Sequence, residues 1–310
     1  MKKKKVWIST SFVILGCFLL YIYLPSFSEL KEESVSVASN VNEQDSQPVE
    51  PTIEEVEQQE TATDIEDKPV AKTVKEKVRE MIEGAITFFS HDKKMVSIGD
   101  SLTEGVGDET ESGGYVGILN HTFEDHSMNI SIENFGKRGN RTDQLLKRLE
   151  NEEISSAIKE ADIVLITIGA NDIMKVVRSH YTNLNIEPFQ EEKIRYIERL
   201  TAIFHKIIDL NPDTQIFLIG FYNPFERYFG DIEQLDMILD DWNQASELVT
   251  EEFENVYYIP TEDLFSTSTV NLLADDNFHP NTSGYKLMAE RVLEYLSKYD
   301  EETELPEDFE

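Results

Sequence analysis

The run Ile163-Val164-Leu165-Ile166-Thr167-Ile168 narrows the choice of fold more than any other stretch of the chain. It is continuously apolar, without the alternation of a strand that has one wet face, and so predicts a strand buried on both faces. Such a strand needs a helical layer on each side. The flanking pattern supplies them. Strands are predicted at Lys94–Ile98, Ile130–Phe135, Gln215–Ile219 and Val256–Ile259, and helices at Tyr115–Phe123, Thr142–Leu149, Glu191–Asp209, Trp242–Phe253 and Ser283–Lys298. Strand-helix alternation of this kind implies an α/β fold with a parallel sheet. Ligands then sit at the carboxyl ends of the strands, so chemistry-bearing residues should follow strands directly.

The two ends read differently. Lys2 to Lys5 precede an apolar run from Val6 to Leu24, long enough to cross about 30 Å of hydrocarbon as a helix. The lysines favour the cytoplasmic side, which sends the rest of the chain outside. Residues 1–26 are therefore assigned to a cytoplasmic Lys cluster and a single-pass membrane anchor. Two rivals are a cleaved signal peptide, for which no small-x-small site follows the run, and a lipoprotein. Ile14-Leu15-Gly16-Cys17 resembles a lipobox, but the apolar run continues through Phe18 to Tyr23. Residues 27–75 are rich in Glu, Val, Ser, Thr and Gln and poor in aromatics, the composition of a disordered acidic stalk. Thr73 to Phe89 has helical spacing, the folded domain is placed at 76–299, and 300–310 form an acidic tail with Pro306.

The formal charge of −33 comes from 61 acidic against 28 basic residues. A chain this acidic repels phosphate backbones, so nucleic acid is excluded as a partner. Cys17 is the only cysteine. An internal disulfide, a cysteine-rich metal site and a cysteine nucleophile in the domain are thereby excluded.

Four segments carry candidate chemistry. After the first strand comes Gly99-Asp100-Ser101-Leu102-Thr103-Glu104-Gly105, which places a serine at a strand-to-helix turn. There the helix start favours developing negative charge. Thr103 departs from the G-x-S-x-G elbow, and the segment alone fits an ordinary turn capped by Asp or Ser equally well. After the second strand, Gly139 lets a backbone N–H approach a substrate oxygen with no side chain in the way, or is a plain turn glycine. After the third, Asn171 offers a neutral amide donor suited to an oxyanion, and Asp172 can orient the loop through backbone N–H groups. Capping of the following helix is the rival. Near the end, Asp275-Asp276-Asn277-Phe278-His279-Pro280-Asn281 puts an imidazole on a loop, because Pro280 bars its predecessor from the helical region. An Asp three residues earlier can hold Nδ1–H and leave Nε2 free for the serine proton. His91, His121, His126, His180 and His205 lack such a setting.

The order Ser101, Gly139, Asn171, His279, each after a strand, resembles the SGNH (GDSL) hydrolase family over about residues 95–298. The wider wording, including Gly-Asn-Arg-Thr-Asp-Gln-Leu and Ile-Gly-Ala-Asn-Asp-Ile-Met, looks most like the lipase/acylhydrolase type of Gram-positive bacteria. The resemblance implies a flavodoxin-like three-layer α/β/α sandwich with a five-stranded parallel sheet. It makes Ser101 the nucleophile, His279 the base and Asp276 its orienter. The oxyanion hole falls to Ser101 N–H, Gly139 N–H and the Asn171 side chain. It implies a carboxylic ester hydrolase working through an acyl-Ser101 intermediate, with no metal or organic cofactor.

The substrate is less legible. Met174–Gln190 and Phe221–Leu235 lack clear core periodicity and are expected as loops beside the site. Their Met174, Val176, Val177, Tyr181, Tyr222, Phe225, Tyr228 and Phe229 offer an acyl pocket. The expected partner is a small-molecule or lipid ester, lysophospholipid or short-chain. The alternatives are an O-acetyl esterase or O-acyltransferase acting on cell-wall carbohydrate, or a non-catalytic surface protein.

Overall fold

The computed structural model describes residues 93–180, 185–224 and 233–304. The anchor, the stalk and the Thr73–Phe89 helix lie outside them. Within them no helix is long and apolar enough to cross a membrane.

Five parallel strands form one sheet in the order β2-β1-β3-β4-β5. They are β1 Lys93–Gly99, β2 Ile130–Gly136, β3 Ile163–Thr167, β4 Gln215–Ile219 and β5 Val256–Ile259. The fold is the expected three-layer sandwich. The chain runs outward from β1 to β2 and then returns to place β3 on the other side of β1. The carboxyl ends of β1 and β3 therefore open the crevice where this topology binds ligands. β3 is buried at every position, as its unbroken apolar run requires.

Successive side chains of a strand point to opposite faces, and both faces are covered. On one, Met95, Leu165, Phe217 and Ile259 pack with Leu119 and Phe123 of α2 (Gly114–Asp125) and with Met288, Val292 and Leu296 of the closing helix α9 (Thr282–Glu304). The other layer is centred on α6 (Glu187–Leu210). It packs against α3 (Thr142–Arg148), α4 (Glu152–Lys159), α5 (Ala170–His180) and α7 (Glu233–Thr250). Two short helices, α1 (Ser101–Glu104) and α8 (Glu262–Ser266), follow β1 and β5.

The structure corrects the sequence expectation at several points. Met174 to His180 is helix, not loop, because Ile173, Val176 and Val177 all face inward at i, i+3 and i+4. α6 starts at Glu187, with Pro188 in its first turn, where a missing N–H costs nothing. α7 starts at Glu233, inside the second expected loop. α4 was not predicted. It buries only Ile154 and Ile158 and owes its start to Asn151, whose side chain accepts from the N–H of Glu153 and Ile154. α9 runs through Asp300 to Glu304, into the segment assigned to the acidic tail. Nothing in those residues breaks a helix, and Pro306 is the first that disfavours one before it.

Leu165 is fully buried at the centre of the sheet. Leu165→Ala is expected to lower stability by about 2–5 kcal/mol, the range for a core cavity that relaxes little. Urea unfolding checks this, and a loss under 1 kcal/mol contradicts it.

Candidate active site

β1 ends at Gly99, with φ +151°, where a Cβ would lie 2.1 Å from the carbonyl oxygen of Thr167 on the neighbouring strand. Glycine is required there. Asp100 then caps α1, its Oδ1 accepting from Leu102 N–H at 3.0 Å and from the Thr167 hydroxyl at 3.0 Å. The capping role and the site role thus fall on different residues, Asp100 taking the first and leaving Ser101 for the second. Ser101 is nearly buried, and its Oγ lies 2.9 Å from Nε2 of His279.

The base is held by its own loop. Nδ1 of His279 lies 2.5 Å from Oδ2 of Asp276, while Oδ1 of Asp276 accepts from the N–H of Phe278 and His279, both at 2.9 Å. With Nδ1–H donated to the carboxylate, Nε2 is left to accept the serine proton. Burial pushes the Asp276 carboxyl up. Its bond to His279, the His279 charge and the two backbone N–H groups outweigh that and hold it below the usual range. Asn277 supplies the left-handed turn (φ 55°) that lets the loop close. The carboxylate that pairs with His279 is that of Asp276, not Asp275. The Asp275 carbonyl accepts from the Asn277 amide. Among the described residues His121, His126, His180 and His205 stand outside this cluster. His126 and His180 bond backbone carbonyls one turn back, and His205 packs edge-on against Phe253.

Gly139 has φ +76°, and a Cβ there would meet nothing within 4 Å. Its backbone conformation, not crowding, asks for glycine. Asn171 stands at the start of α5 and donates one Nδ2 proton to the carbonyl of Asn140 at 3.1 Å, which leaves its second proton free. Neither Ser101 N–H nor Gly139 N–H donates to another group among the described residues. Three donors with a free proton thus lie on the three segments that follow β1, β2 and β3.

Two features were not foreseen. Asp172 does orient a loop, accepting from Thr142 N–H at 3.0 Å, but it also takes the Thr142 hydroxyl at 2.7 Å and the Arg199 guanidinium at 3.0 Å. Arg199 reaches Glu192 in turn at 2.7 Å, so a buried ion cluster ties α3, α5 and α6 together. Its members lie up to 57 residues apart, and no local pattern joins them. Beside Ser101 is an apolar cavity of about 40 Å³, walled by Leu102, Ala170, Ile173, Met174, Phe221, Tyr222, Pro224, Leu239 and Phe278. Of the residues expected to line a pocket, Met174 and Tyr222 do so. Val176 and Val177 are buried elsewhere in the core, and Tyr181, Phe225, Tyr228 and Phe229 lie outside the described residues.

Residues 97–287 match the family model of the GDSL-like Lipase/Acylhydrolase family. The chain belongs to that family. The Bacillus subtilis (strain 168) protein YpmR is 34% identical over 208 residues, covering 66% of this chain and 81% of that protein. The spore germination lipase LipC of Bacillus licheniformis is 27% identical over 201 residues, covering 63% and 92%. Among solved structures, the lipase Lip_vut3 from a goat rumen metagenome superposes with a TM-score of 0.58 at 25% identity, over 64% of this chain and 95% of that one. A mutant of Axe2, an acetyl-xylooligosaccharide esterase of Geobacillus, shares the fold at a TM-score of 0.51 and 24% identity, over 66% and 94%. The GDSL-type acylhydrolase is a carboxylic ester hydrolase.

Burial pushes the Asp100 carboxyl from 3.8 up to about 6, against its bonds to Leu102 N–H and Thr167. The fold therefore holds this proton more tightly than the unfolded chain does, and stability falls as pH rises from about 4 to about 6. The drop is on the order of 3 kcal/mol. Asp100→Asn keeps an oxygen for both donors and is expected to flatten that part of the curve. Urea midpoints at pH 4 to 7 check it, and parallel curves for the two proteins count against it.

Proposed function

We propose that the acylhydrolase cleaves carboxylic esters through an acyl-Ser101 intermediate. The observation that carries this is the chain Asp276–His279–Ser101, at 2.5 and 2.9 Å, beside an apolar cavity. Ser101 Oγ attacks the ester carbonyl as its proton passes to Nε2 of His279, whose imidazolium Asp276 stabilises. The carbonyl oxygen becomes an oxyanion that accepts from Ser101 N–H, Gly139 N–H and Asn171 Nδ2. His279 then gives the proton to the leaving alcohol as the C–O bond breaks. Water attacks the acyl-enzyme, its proton goes to His279 and on to Ser101 Oγ, and the acid departs. The acyl group enters the cavity, whose lining residues are apolar apart from Asp100, Ser101 and Tyr222, the last with its hydroxyl engaged by the carbonyl of Phe278. At about 40 Å³ it suits a short-chain acyl ester, and the chain of a lipid ester such as a lysophospholipid would have to run on beyond it.

The N-terminal Lys cluster and apolar run support an anchored, extracytoplasmic enzyme, with residues 27–75 as the stalk and 76–299 as the hydrolase domain. Processing at Cys17 or cleavage after the run are the other fates of that segment. A second reading of the substrate has its own observation. A more polar cleft of about 250 Å³, lined by Asn223, Phe265, Ser266, Ser268, Thr269 and Asn271 together with Val270, Leu272 and Leu273, shares Pro224 with the cavity. An aromatic ring among hydroxyls and amides suits a carbohydrate alcohol, and hence an acyl ester of cell-wall sugar, hydrolysed or transferred.

A p-nitrophenyl ester series from acetate to long chains, beside acylated sugars and lysophospholipids, tests both. Turnover is expected to vanish in Ser101→Ala and to fall about 10²–10³-fold in kcat in Asn171→Ala, the usual loss for one oxyanion donor. Folded wild-type protein with no Ser101-dependent hydrolysis of any ester would overturn the hydrolase mechanism.

A further inference from the structure

Arg148, in the last turn of α3, has no carboxylate within 4 Å among the described residues. Half-buried, it donates instead to three neutral oxygens. Nη2 reaches the carbonyl of Phe135 at 2.7 Å, and Nη1 reaches the carbonyl of Gly99 at 3.3 Å and Oδ1 of Asn140 at 3.2 Å. A cation taken partly out of water without a counter-ion is costly, and burial duly disfavours its charged form. A surface-facing rotamer would avoid that cost, so the choice of oxygens is informative. Gly99 lies two residues before Ser101, and Phe135 pairs with Ile98 at the end of the same ladder. Asn140 follows Gly139. The guanidinium therefore spans the ends of β1 and β2, the strands that lead into Ser101 and Gly139.

Asn140 is buried and held at three points: its amide oxygen by Arg148, its N–H by the carbonyl of Lys137 at 3.2 Å, and its own carbonyl by Asn171 Nδ2. That last bond decides which Asn171 proton remains for substrate, and the same peptide segment fixes the direction of Gly139 N–H. We propose that Arg148 is a positioning residue of the oxyanion hole, acting through Asn140 to aim Asn171 Nδ2 and Gly139 N–H at one point. The inference rests on the oxyanion roles proposed above. Asp172 and Arg199 brace the same helices from the side of α6, through bonds to Thr142 and Glu192.

The test reads the rate at which a fluorophosphonate labels Ser101, which needs the oxyanion hole but not the natural substrate. The Oγ–P bond forms as P–F breaks, fluoride leaves and the serine proton passes to His279. Arg148→Met is expected to label about 10–100-fold more slowly, the scale of a misaimed catalytic group, and Arg148→Lys to recover part of the loss. In the Asn171→Ala background Arg148→Met should cost far less than in wild type, because both changes disable one unit. On any ester that is turned over, kcat should fall with KM unchanged. Should Arg148→Met fail to fold, Asn140→Ala and Arg148→Lys replace it, with the same non-additivity expected between them. Labelling at the wild-type rate, or additive losses, overturns the proposal, as does a wild-type protein whose Ser101 cannot be labelled. Labelling without ester turnover would defeat the hydrolase reading and leave this one standing.

Discussion

In a parallel sheet the strands share a direction, so the loops that leave their carboxyl ends can meet only if those ends are level. Here the register makes them so. Gly99 pairs with Gly136 on one side and with Thr167 on the other. Ser101, Gly139 and Asn171 then follow within a few residues of a common line, each at or just before the start of a helix. The level ends also crowd one another, and two glycines relieve this. A Cβ at Gly99 would press on the Thr167 carbonyl, and one at Gly136 would lie 2.1 Å from the backbone nitrogen of Glu104 in α1. The short helix that carries Ser101 can sit on the strand ends only because both positions lack a side chain.

His279 is not placed by the sheet register. It comes from a loop 178 residues after Ser101, and local bonds give that loop its shape. Leu273 and Pro280 form an antiparallel bridge, Ala274 N–H donates to the carbonyl of His279, and Asp276 gathers two N–H groups of its own turn. Two struts then fix it against the rest of the molecule. The Tyr222 hydroxyl donates to the carbonyl of Phe278, and a Cβ on Gly107 would meet the His279 Cβ at 2.9 Å. Behind Gly107, Asp108 accepts from Thr110, Ser112, Gly114 and Thr282, so one carboxylate binds the loop after α1 to the first turn of α9. These bonds hold it well below the usual carboxylate range despite burial.

The residues that could be read from sequence are those whose role follows from a short stretch of chain. A serine after a strand, an Asp three residues before a histidine and an Asn at a helix start each carry their geometry with them. The fold class was legible for a similar reason, since six residues without a charge, five of them apolar, leave few ways to be covered. Of the cavity walls only Met174 and Tyr222 were, because Leu102, Leu239 and Phe278 come from three separate segments and meet only after the layers close. α5 was missed because its inward residues stop after two turns, too short a run to outweigh the polar residues between them. Arg148 and Arg199 carry no local signal, because their partners are carbonyls of β1 and β2 in one case and carboxylates on two helices in the other.

The distribution of charge around Ser101 follows the charge that the proposed reaction separates. On forming the tetrahedral intermediate, His279 becomes positive and the substrate oxygen negative. The carboxylates of Asp276 and Asp100 both interact favourably with a charged His279, whereas Arg148 lies on the side of the donors that face the oxyanion. Asp100 can be kept in so apolar a place because hydroxyls stand behind it. Thr167 donates to it, Thr103 lies 2.7 Å from Thr167, Tyr115 lies 3.1 Å from Thr103, and Ser97 lies 2.7 Å from Tyr115. Each hydroxyl has one proton. With that of Thr167 on Asp100, the short contact draws the proton of Thr103 in preference to the Ile98 carbonyl at 3.3 Å, and the remaining protons can all point the same way. A chain of hydroxyls polarised toward one carboxylate spreads its charge into the sheet. It lets a second negative group stand near the imidazole without a cation to cancel it.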